Sequence, residues 1–395
     1  MNFAARSTFS QAPNALSVAV AARRASGRSF VDLTGSNPTA VGLGPSRPQL
    51  SSALNEFSNS QYVPQPFGLA TAREAIARWH RGAVHPDNVV LAASTSEAYS
   101  WLFKLLCNPG EQVLVPQPGY PLLDFLTTLD GVQARPYATH YAAGRWQLDI
   151  DNLKAATSAR TKAVVIIAPG NPTGAILTEA ELEIVAQWCS SRRLALIVDE
   201  VFADTIGVVA PVTAACVRSA LGLRQCLTFV LRGLSKTVLT PQLKLAWIAC
   251  CGPPPLVRPA LDRLELIADT YLSVAMPVQS ALPRLLAMAP IVLTGLHQRL
   301  RQNWATVQRS TANSAIGVLH SDGGWSAVLR FPATLTDEAL AMAALQFADV
   351  LVQPGYFYDF ADASHIVVSL ITPPDDFARG IAQLTTYICG ACELS

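Results

Sequence analysis

Two short segments of this chain decide its fold. Residues 163–174 have the sequence AVVIIAPGNPTG, and residues 194–202 have the sequence LALIVDEVF. Each is an apolar run that ends in polar residues, which is typical of a strand buried on both faces of a parallel sheet. A stretch with helical periodicity, 178–191, lies between them, and the interval from Asn171 to Asp199 has the length of one crossover. The two segments therefore predict parallel strands of an α/β domain.

The same alternation of helical and strand-like segments continues on both sides of this region. Helical spacing of apolar residues occurs in 69–81 and 97–107. Further short apolar runs are the strand candidates 89–93, 113–115, 227–231 and 245–250. Helices that alternate with buried strands predict an α/β domain with a mostly parallel sheet.

The pattern changes in the last third of the chain. Residues 255–310 have helical character for most of their length, with interruptions expected at Pro259, Pro277, Pro283 and Pro290. After Gly317 the chain returns to short strands and helices, with strand candidates at 325–331 and 365–370. We therefore predict two domains, namely a large α/β domain of residues 46–290 and a smaller α+β domain of residues 1–45 and 291–395.

Composition and charge exclude several classes of protein. Of the 395 residues, 50% are hydrophobic and 14% are charged, which favours a large buried interior over disorder. A net charge of +1 provides no basic surface for nucleic acid. The apolar runs are far shorter than the ~20 residues that cross a membrane. Because the N-terminal residues lack the apolar core of a secretion signal, we expect a cytoplasmic protein.

The eight cysteines have no spacing that is typical of a disulfide framework or a metal site. Cys389 and Cys392 form a CxxC pair, but a zinc site requires a second pair of ligands. We therefore expect reduced, buried thiols and no bound metal.

Polar motifs follow the predicted strands in a characteristic order. They are Ser94-Thr-Ser-Glu-Ala98, Pro118-Gly-Tyr120-Pro121, Pro169-Gly-Asn171-Pro-Thr-Gly174, Val198-Asp199-Glu-Val-Phe202 and Gly233-Leu-Ser-Lys236-Thr237. In this order and spacing they resemble the motifs of the class I/II aminotransferases, and the resemblance extends from about Leu33 to Leu370. It implies the fold of the aspartate-aminotransferase-like, fold-type I enzymes, with pyridoxal 5′-phosphate as the cofactor.

Three residues carry the chemistry that this resemblance implies. Lys236 would bind the cofactor covalently and move a proton, and a desolvated, cation-rich pocket makes such a lysine easier to deprotonate. Asp199 would pair with the protonated pyridine nitrogen, because a carboxylate that ends an apolar strand is costly to bury without a cation. Asn171 would donate a hydrogen bond to the ring oxygen. Each motif taken alone also has a purely structural interpretation. Lys236 would then be a surface lysine, Asp199 a carboxylate in a turn at a strand end, and Asn171 a turn residue.

The resemblance also implies a phosphate cradle, a stacking ring and a residue from a second subunit. Ser94, Thr95 and Ser96 precede a predicted helix, where backbone N–H groups bind phosphate, although a simple helix cap predicts the same residues. Tyr120 would stack on the pyridine ring, or else pack in the core. Tyr62 would reach the phosphate in the neighbouring subunit, which requires a homodimer, or else pack on its own domain.

Three cofactor positions depart from the family pattern. Lys244 stands where relatives usually carry an arginine, so the positive charge stays but bidentate phosphate binding is lost. Gly233 replaces a serine that contacts the phosphate in many relatives. Phe202 replaces a tyrosine that donates to the ring oxygen. Without that donor, we expect a raised pKa for the nitrogen that joins Lys236 to the cofactor.

The residue that usually binds the substrate carboxylate is absent. In His365-Ile-Val-Val-Ser-Leu370, Val367 stands where relatives have an arginine. Either the substrate lacks that carboxylate or another group binds it. Arg330, on a predicted strand of the small domain, is our first candidate, and a solvent-exposed strand arginine is its alternative. Asn37 lies where relatives close over the substrate, and a simple turn is its alternative.

These features together predict a homodimeric aminotransferase that moves an amino group from an amino acid or related amine to a keto acid by a ping-pong route. A β-lyase or decarboxylase with the same cofactor is the alternative. The bond at the substrate α-carbon that is held perpendicular to the cofactor ring is the one that breaks, so a different substrate orientation gives a different reaction. A sensor that only binds the cofactor is disfavoured, because Lys236, Asp199 and Asn171 occur together. A dinucleotide-binding enzyme is disfavoured because no GxGxxG motif follows the first strand.

Overall fold

The computed structural model describes residues 3–10, 12–55, 57, 61–212, 215–332 and 335–393. Within them, the helices are α1 (Ala15–Ala25), α2 (Arg47–Leu54), α3 (Ala70–Trp79), α4 (Thr95–Leu106), α5 (Leu122–Leu129), α6 (Ile150–Ala156), α7 (Glu179–Arg192), α8 (Leu234–Thr237), α9 (Pro254–Tyr271), α10 (Met276–Thr311), α11 (Asp337–Phe347) and α12 (Pro374–Glu393). The strands are β1 (Val31–Asp32), β2 (Val89–Ala92), β3 (Gln112–Gln117), β4 (Gln133–Ala142), β5 (Arg145–Leu148), β6 (Thr161–Ile167), β7 (Ala195–Asp199), β8 (Thr228–Gly233), β9 (Ala246–Cys251), β10 (Gly317–Val318), β11 (Ser326–Arg330), β12 (Val350–Leu351), β13 (Gln353–Pro354) and β14 (His365–Ser369).

An eight-stranded sheet forms the centre of the protein, in the order β2-β9-β8-β7-β6-β3-β4-β5. The five strands from β8 to β4 in this order run parallel, whereas β9, β2 and β5 each join a neighbour antiparallel. The sheet is therefore mostly parallel, which confirms the predicted α/β fold class. Ile167 of β6 pairs with Asp199 of β7, and Asp199 pairs with Leu231 of β8. The carboxyl ends of these three strands thus meet at one edge of the sheet.

The parallel strands are apolar along their whole length because both faces of the sheet are covered. In β6, Val164 and Ile166 belong to the core on one face, and Val165 and Ile167 belong to the core on the other. Helices α4 and α9 pack against the second of these faces. Burial of each such side chain stabilises the fold by roughly 1.5–3 kcal/mol. Two-sided burial therefore explains why these runs are continuous and do not alternate with polar residues.

A second, four-stranded antiparallel sheet has the order β10-β11-β14-β13. A short parallel pair, β1 with β12, joins the N-terminal segment to the C-terminal part, with Val31 opposite Val350. Helix α1 also contacts α11, and α12 contacts β1. The N-terminal residues thus pack on the C-terminal part of the chain, beside the four-stranded sheet.

Two long helices, α9 and α10, connect the two sheets. Pro259 lies inside α9, and Pro283 and Pro290 lie inside α10. The expectation that these prolines interrupt the helix is wrong, because each removes only one backbone donor and the tertiary packing of the apolar face offsets that loss. Pro277, in contrast, stands in the first turn of α10, where proline is favoured. Because α10 continues through residue 290, the predicted domain boundary falls inside a helix, and the division into domains stays a prediction.

Helix α10 is long and apolar enough, by length and composition alone, to cross a membrane, with a mean hydropathy of 1.3. Half of its apolar window is buried inside the protein. The helix packs against α2, α3 and α12, so its apolar face is used within the fold. These contacts make α10 a core helix.

Candidate active site

A cavity of about 730 Å³ opens where β6, β7 and β8 end, and strands of the four-stranded sheet close its other side. Nine residues that the sequence predicted to bind the cofactor line it, namely Ser94, Thr95, Ser96, Tyr120, Asn171, Asp199, Phe202, Lys236 and Lys244. These residues come from separate segments of the chain, and each segment follows a strand or begins a helix. The fold therefore gathers them at the carboxyl edge of the sheet.

Lys236 lies on α8, the single turn of helix that follows β8. Its ammonium nitrogen is 4.1 Å from the centre of the Trp325 ring and 5.4 Å from the centre of the Phe202 ring. Burial lowers the pKa of Lys236 to about 8, although the nearby Asp199 opposes this shift. A substantial fraction of Lys236 is therefore neutral near pH 8, and a neutral amine is the form that acts as a nucleophile.

Asp199 is the last residue of β7 and is buried. Its Oδ1 accepts a hydrogen bond from the Val201 backbone N–H at 3.0 Å, and its Oδ2 accepts one from the Tyr99 hydroxyl at 3.0 Å. Burial raises the pKa of Asp199 to about 6, although these two donors and Lys236 favour the carboxylate. Within the described residues, no cation forms a salt bridge with Asp199. A cation placed beside it would thus be strongly stabilised.

The N-terminus of α4 and Lys244 form the other end of the cavity. Ser94 caps α4, because its hydroxyl oxygen accepts from the Glu97 backbone N–H at 3.1 Å. The cap alternative is therefore correct for Ser94, and it leaves the hydroxyl hydrogen available as a donor. Thr95 and Ser96 form the first turn of the helix, whose backbone N–H groups attract anions. Together with the ammonium group of Lys244, these donors suit a phosphate group.

Two segments pack closely beside Trp325, namely the loop after β6 and the residues before β11. Gly174 has φ +69°, and a Cβ added there would lie 2.4 Å from the Gly323 carbonyl oxygen. A Cβ added at Gly323 would lie 2.6 Å from the Pro169 ring. We call this close contact the glycine seam, and Gly323 lies two residues before Trp325.

The chemistry of these groups fits pyridoxal phosphate. The cofactor combines a phosphate, an aldehyde and a pyridine ring that carries a proton when paired with a carboxylate. The cavity offers a helix N-terminus, the ammonium group of Lys244, a half-buried lysine of lowered pKa, and a buried carboxylate without a cation partner among the described residues. Each part of the cofactor thus has a complementary group in the cavity.

Comparison with known families agrees with this geometry. A family model described as "Aminotransferase class I and II" matches residues 35–375. The chain belongs to this family. It is a pyridoxal-phosphate-dependent aminotransferase, and amino-group transfer is favoured over the lyase and decarboxylase alternatives.

Individual relatives of the aminotransferase are distant but extend over much of the chain. It is 30% identical over 263 residues to the glutamate-pyruvate aminotransferase AlaA of Haemophilus influenzae, a match that covers 65% of this chain and 63% of that protein. It is 26% identical over 378 residues to the alanine aminotransferase of Mycobacterium bovis, with 92% of this chain and 86% of that protein covered.

Solved structures share the fold. The alanine aminotransferase of Pyrococcus furiosus matches with a TM-score of 0.86 at 21% identity and covers 98% of this chain and 99% of that chain. A single mutant of the Thermus thermophilus aspartate aminotransferase matches with a TM-score of 0.82 at 19% identity, with 98% and 99% of the two chains covered. The predicted fold-type I architecture is confirmed.

The two predicted substrate residues of the aminotransferase do not line the cavity. The Asn37 side chain instead accepts hydrogen bonds from the backbone N–H and the hydroxyl of Thr39, so it caps a turn, as the alternative proposed. Arg330 is exposed at the end of β11, opposite His365, and is the solvent-exposed strand arginine of the alternative. Asn37 was chosen for its place in the family pattern and Arg330 as a cation on a predicted small-domain strand, but the turn and the strand register place their side chains elsewhere.

Sequence reasoning missed several residues of the aminotransferase site. Tyr99 lies on α4, one helical turn after Thr95, and its hydroxyl donates a hydrogen bond to Asp199. Its i, i+4 spacing from the predicted phosphate cradle was the sequence signal that could have identified it. Trp325 follows two glycines but is far from the cofactor motifs in the chain. No spacing rule connects it with Lys236, because the fold brings these two distant residues together.

Tyr99 leads to a prediction about cofactor binding. Tyr99→Phe removes a hydrogen bond to a buried carboxylate, so we expect the pKa of Asp199 to rise and the affinity for pyridoxal phosphate to fall about tenfold. Equilibrium dialysis of the cofactor measures this loss. Tyr137→Phe is the matched control, because the buried Tyr137 hydroxyl donates to the Val165 carbonyl of β6 at 2.7 Å and not to Asp199. Equal affinities for the two variants would contradict the assignment.

Proposed function

We propose that Lys236 and Asp199 carry out the amino-group transfer of this enzyme, between a small amine donor and a keto acceptor. The observation that supports this most strongly is the placement of a half-buried lysine just after β8 and a buried carboxylate at the end of the adjacent β7, both lining one cavity. Pyridoxal phosphate, when bound, supplies the electron sink that makes the substrate α-hydrogen acidic.

Lys236 acts as the proton carrier in this proposal. Its Nζ would remove the proton from the α-carbon of the donor and deliver it to the cofactor, and in the second half of the reaction it would carry a proton from the cofactor to the α-carbon derived from the keto acceptor. The rings of Trp325 and Phe202 flank Nζ, and a cation over an aromatic face gains roughly 0.5–2 kcal/mol. The rings therefore stabilise the ammonium group after it has taken the proton, while burial keeps the neutral form accessible.

Asp199 and its donors act as the counter-charge. The carboxylate holds a proton on the pyridine nitrogen, and the hydrogen bonds from Val201 and Tyr99 keep it oriented and ionised. Asn171 lines the same cavity and provides an amide donor for the ring oxygen. Tyr120 lies at the rim as the stacking ring, and it is partly exposed.

Two measurements test this function. The first follows cofactor absorbance while an amine donor converts it to its amine form and a keto acid restores it. We expect one keto product for each donor consumed, whereas release of carbon dioxide or free ammonia would support decarboxylation or lysis. The second reduces the bound cofactor with borohydride and maps the peptides. A label on any lysine except Lys236 would refute the proposed residue.

Phe202 leads to a prediction about the bound cofactor. Phe202→Tyr adds a donor for the ring oxygen, so we expect it to lower the pKa of the nitrogen that joins Lys236 to the cofactor. A spectrophotometric pH titration should show the absorbance change at a lower pH than in the native enzyme. Phe125→Tyr adds a hydroxyl elsewhere in the same cavity and serves as the control. If this pKa is equal or lower in the native enzyme than in Phe202→Tyr, another group already supplies the hydrogen-bond donor.

We infer that the enzyme is a homodimer in which Tyr62 completes the site of the partner. Tyr62 is 67% exposed and lies outside the cavity of its own chain, in a groove with Leu272. Val63, Tyr271 and Leu272 are also exposed. An apolar patch of this kind indicates a surface that another protein covers.

Mixed dimers test this arrangement. Lys236→Ala chains are inactive but carry Tyr62, whereas Tyr62→Ala chains keep Lys236. Because one site of each heterodimer then contains both native residues, mixing the two variants should restore activity above that of either alone. Sedimentation that shows a fully active monomer would contradict the proposal.

We also propose that the enzyme works in the cytoplasm. Cys250 and Cys251, neighbours in the chain, are both buried and are free thiols. Unpaired thiols are typical of a reducing compartment. Fractionation of cells that express the protein tests this proposal.

A further inference from the structure

The charges that line the cavity are confined to one part of it. Among the described lining residues, the charged ones are Asp199, Lys236 and Lys244, which the proposed function assigns to the cofactor. The wall formed by the four-stranded sheet and its connections contains neutral residues only, namely Trp325, Ser326, Gln353, Phe357, Tyr358, Val367, Val368 and Ser369. The described lining of the cavity therefore offers a substrate carboxylate no cation beyond those assigned to the cofactor.

Gln353 is one of the polar side chains on this wall, and its hydrogen bond from Tyr358 leaves donors unused, whereas the Ser369 hydroxyl donates to the Gly35 carbonyl. Gln353 lies on β13 directly opposite Val367 on β14, and cross-strand partners of this kind project from the same face of a sheet. Val367 is 1% exposed and packs with Trp146, Val328 and Tyr358. The wall around Gln353 is thus closely packed and apolar.

Tyr358 sets the direction of the Gln353 amide. The Tyr358 hydroxyl donates a hydrogen bond to Gln353 Oε1. The Nε2 hydrogens of Gln353 therefore remain as donors, and no described residue accepts from them. An amide has two donors and one acceptor group, so this side chain presents an uncharged donor to the cavity.

Physical chemistry separates the groups that such a wall can accept. A carboxylate placed against it loses hydration without gaining a cation, which is costly. An uncharged carbonyl or hydroxyl oxygen loses less hydration and gains the Gln353 N–H. The aromatic residues Phe125 and Phe357 also line the cavity and favour an apolar or aromatic side chain.

We propose that the amine donor carries an uncharged oxygen group, a carboxamide or a hydroxymethyl, on the carbon next to its nitrogen, and that Gln353 selects this group. The inference rests on the proposed function, and it names the substrate class of the same site.

Matched donors test the substrate class. Phenylalanine, phenylalaninamide and phenylalaninol differ only in the group that Gln353 is proposed to bind, and 2-phenylethylamine lacks it. With the native holoenzyme, the second-order rate of cofactor conversion should be at least about tenfold higher for the amide and the alcohol than for phenylalanine. An equal or higher rate for phenylalanine would overturn the inference while leaving the proposed function intact.

Binding of ligands that cannot react provides an independent readout. We expect 3-phenylpropanamide to bind the holoenzyme at least about tenfold more tightly than 3-phenylpropanoate, as measured by calorimetry. Tighter binding of the carboxylate would overturn the inference. If the amide binds more tightly but no donor converts the cofactor, the proposed function fails and the selectivity of Gln353 stands.

Variants separate selection by Gln353 from a structural role. Gln353→Leu should lower the rate with phenylalaninamide about tenfold and change the rate with 2-phenylethylamine less than twofold. Gln117→Leu is the control, because Gln117 donates to the Asp359 backbone carbonyl beside Tyr358 but does not line the cavity. Equal losses for all donors in Gln353→Leu would show that Gln353 only supports the fold, and would overturn its assignment.

Discussion

Lys236→Ala is expected to lower the rate of amino-group transfer at least about 10³-fold, because the variant loses both the covalent link to the cofactor and the proton carrier. Stopped-flow absorbance of the cofactor with a saturating donor measures this rate. Lys154→Ala is the control, because Lys154 lies on α6 against the Trp188 ring and outside the cavity. A variant of Lys236 that retains a tenth of the native rate would contradict its role.

The pKa of Lys236 adds a pH dependence to this prediction. Since the pKa is lowered to about 8, the cofactor-free protein should capture pyridoxal phosphate faster as pH rises, with a slope of about tenfold per pH unit below 8 and little change above it. Between pH 8 and the ordinary lysine value of 10.5, the unfolded chain binds more protons than the folded one. The stability contribution of Lys236 therefore increases with pH in this window.

Asp199→Asn is expected to lower the rate of amino-group transfer by roughly 10²- to 10³-fold. The substitution removes the carboxylate from the proposed buried ion pair with the protonated pyridine nitrogen. The amide cannot hold a proton on the pyridine nitrogen, so the electron sink is weakened. Asp199→Glu should retain more activity, because it keeps the charge. Single-turnover rates of the three proteins, measured with the cofactor saturating, separate this effect from weaker binding.

The same substitution should have the opposite effect on the cofactor-free protein. Burial raises the pKa of Asp199 from 3.8 to about 6, so the native carboxylate destabilises the fold as pH rises from 4 to 6. The full cost, up to about 3 kcal/mol, is reached above pH 6. Asp199→Asn should therefore be more stable than the native protein at pH 7 and similar near pH 4. Chemical denaturation at both values measures this, and a less stable variant at pH 7 would show that Asp199 is structural.

The central sheet could be predicted from the sequence because its strands are buried on both faces. Such strands are continuous apolar runs, and the predicted 194–198 lies within one residue of the observed β7 (Ala195–Asp199). The hairpin of β4 and β5 was missed. Strand β4 contains Pro136 and many partly exposed residues, so it has neither a continuous apolar run nor strict alternation.

The site was predictable where function and strand ends coincide. Lys236 and Asp199 stand out because a charged residue after an apolar strand needs a specific partner. Gln353 has no such signal, because its position on the cavity wall depends on pairing with β14 and on the hydrogen bond from Tyr358. Arg330 was selected for its charge alone, and its position at the exposed end of β11 follows from strand register, which a single sequence does not contain.

The glycine seam determines which parts of this enzyme can be engineered. A side chain at Gly174 would meet the Gly323 carbonyl oxygen and displace the segment that precedes Trp325. Libraries that seek new donor specificity should therefore leave the seam unchanged. They should vary Gln353, which lines the cavity and is less buried than Val367.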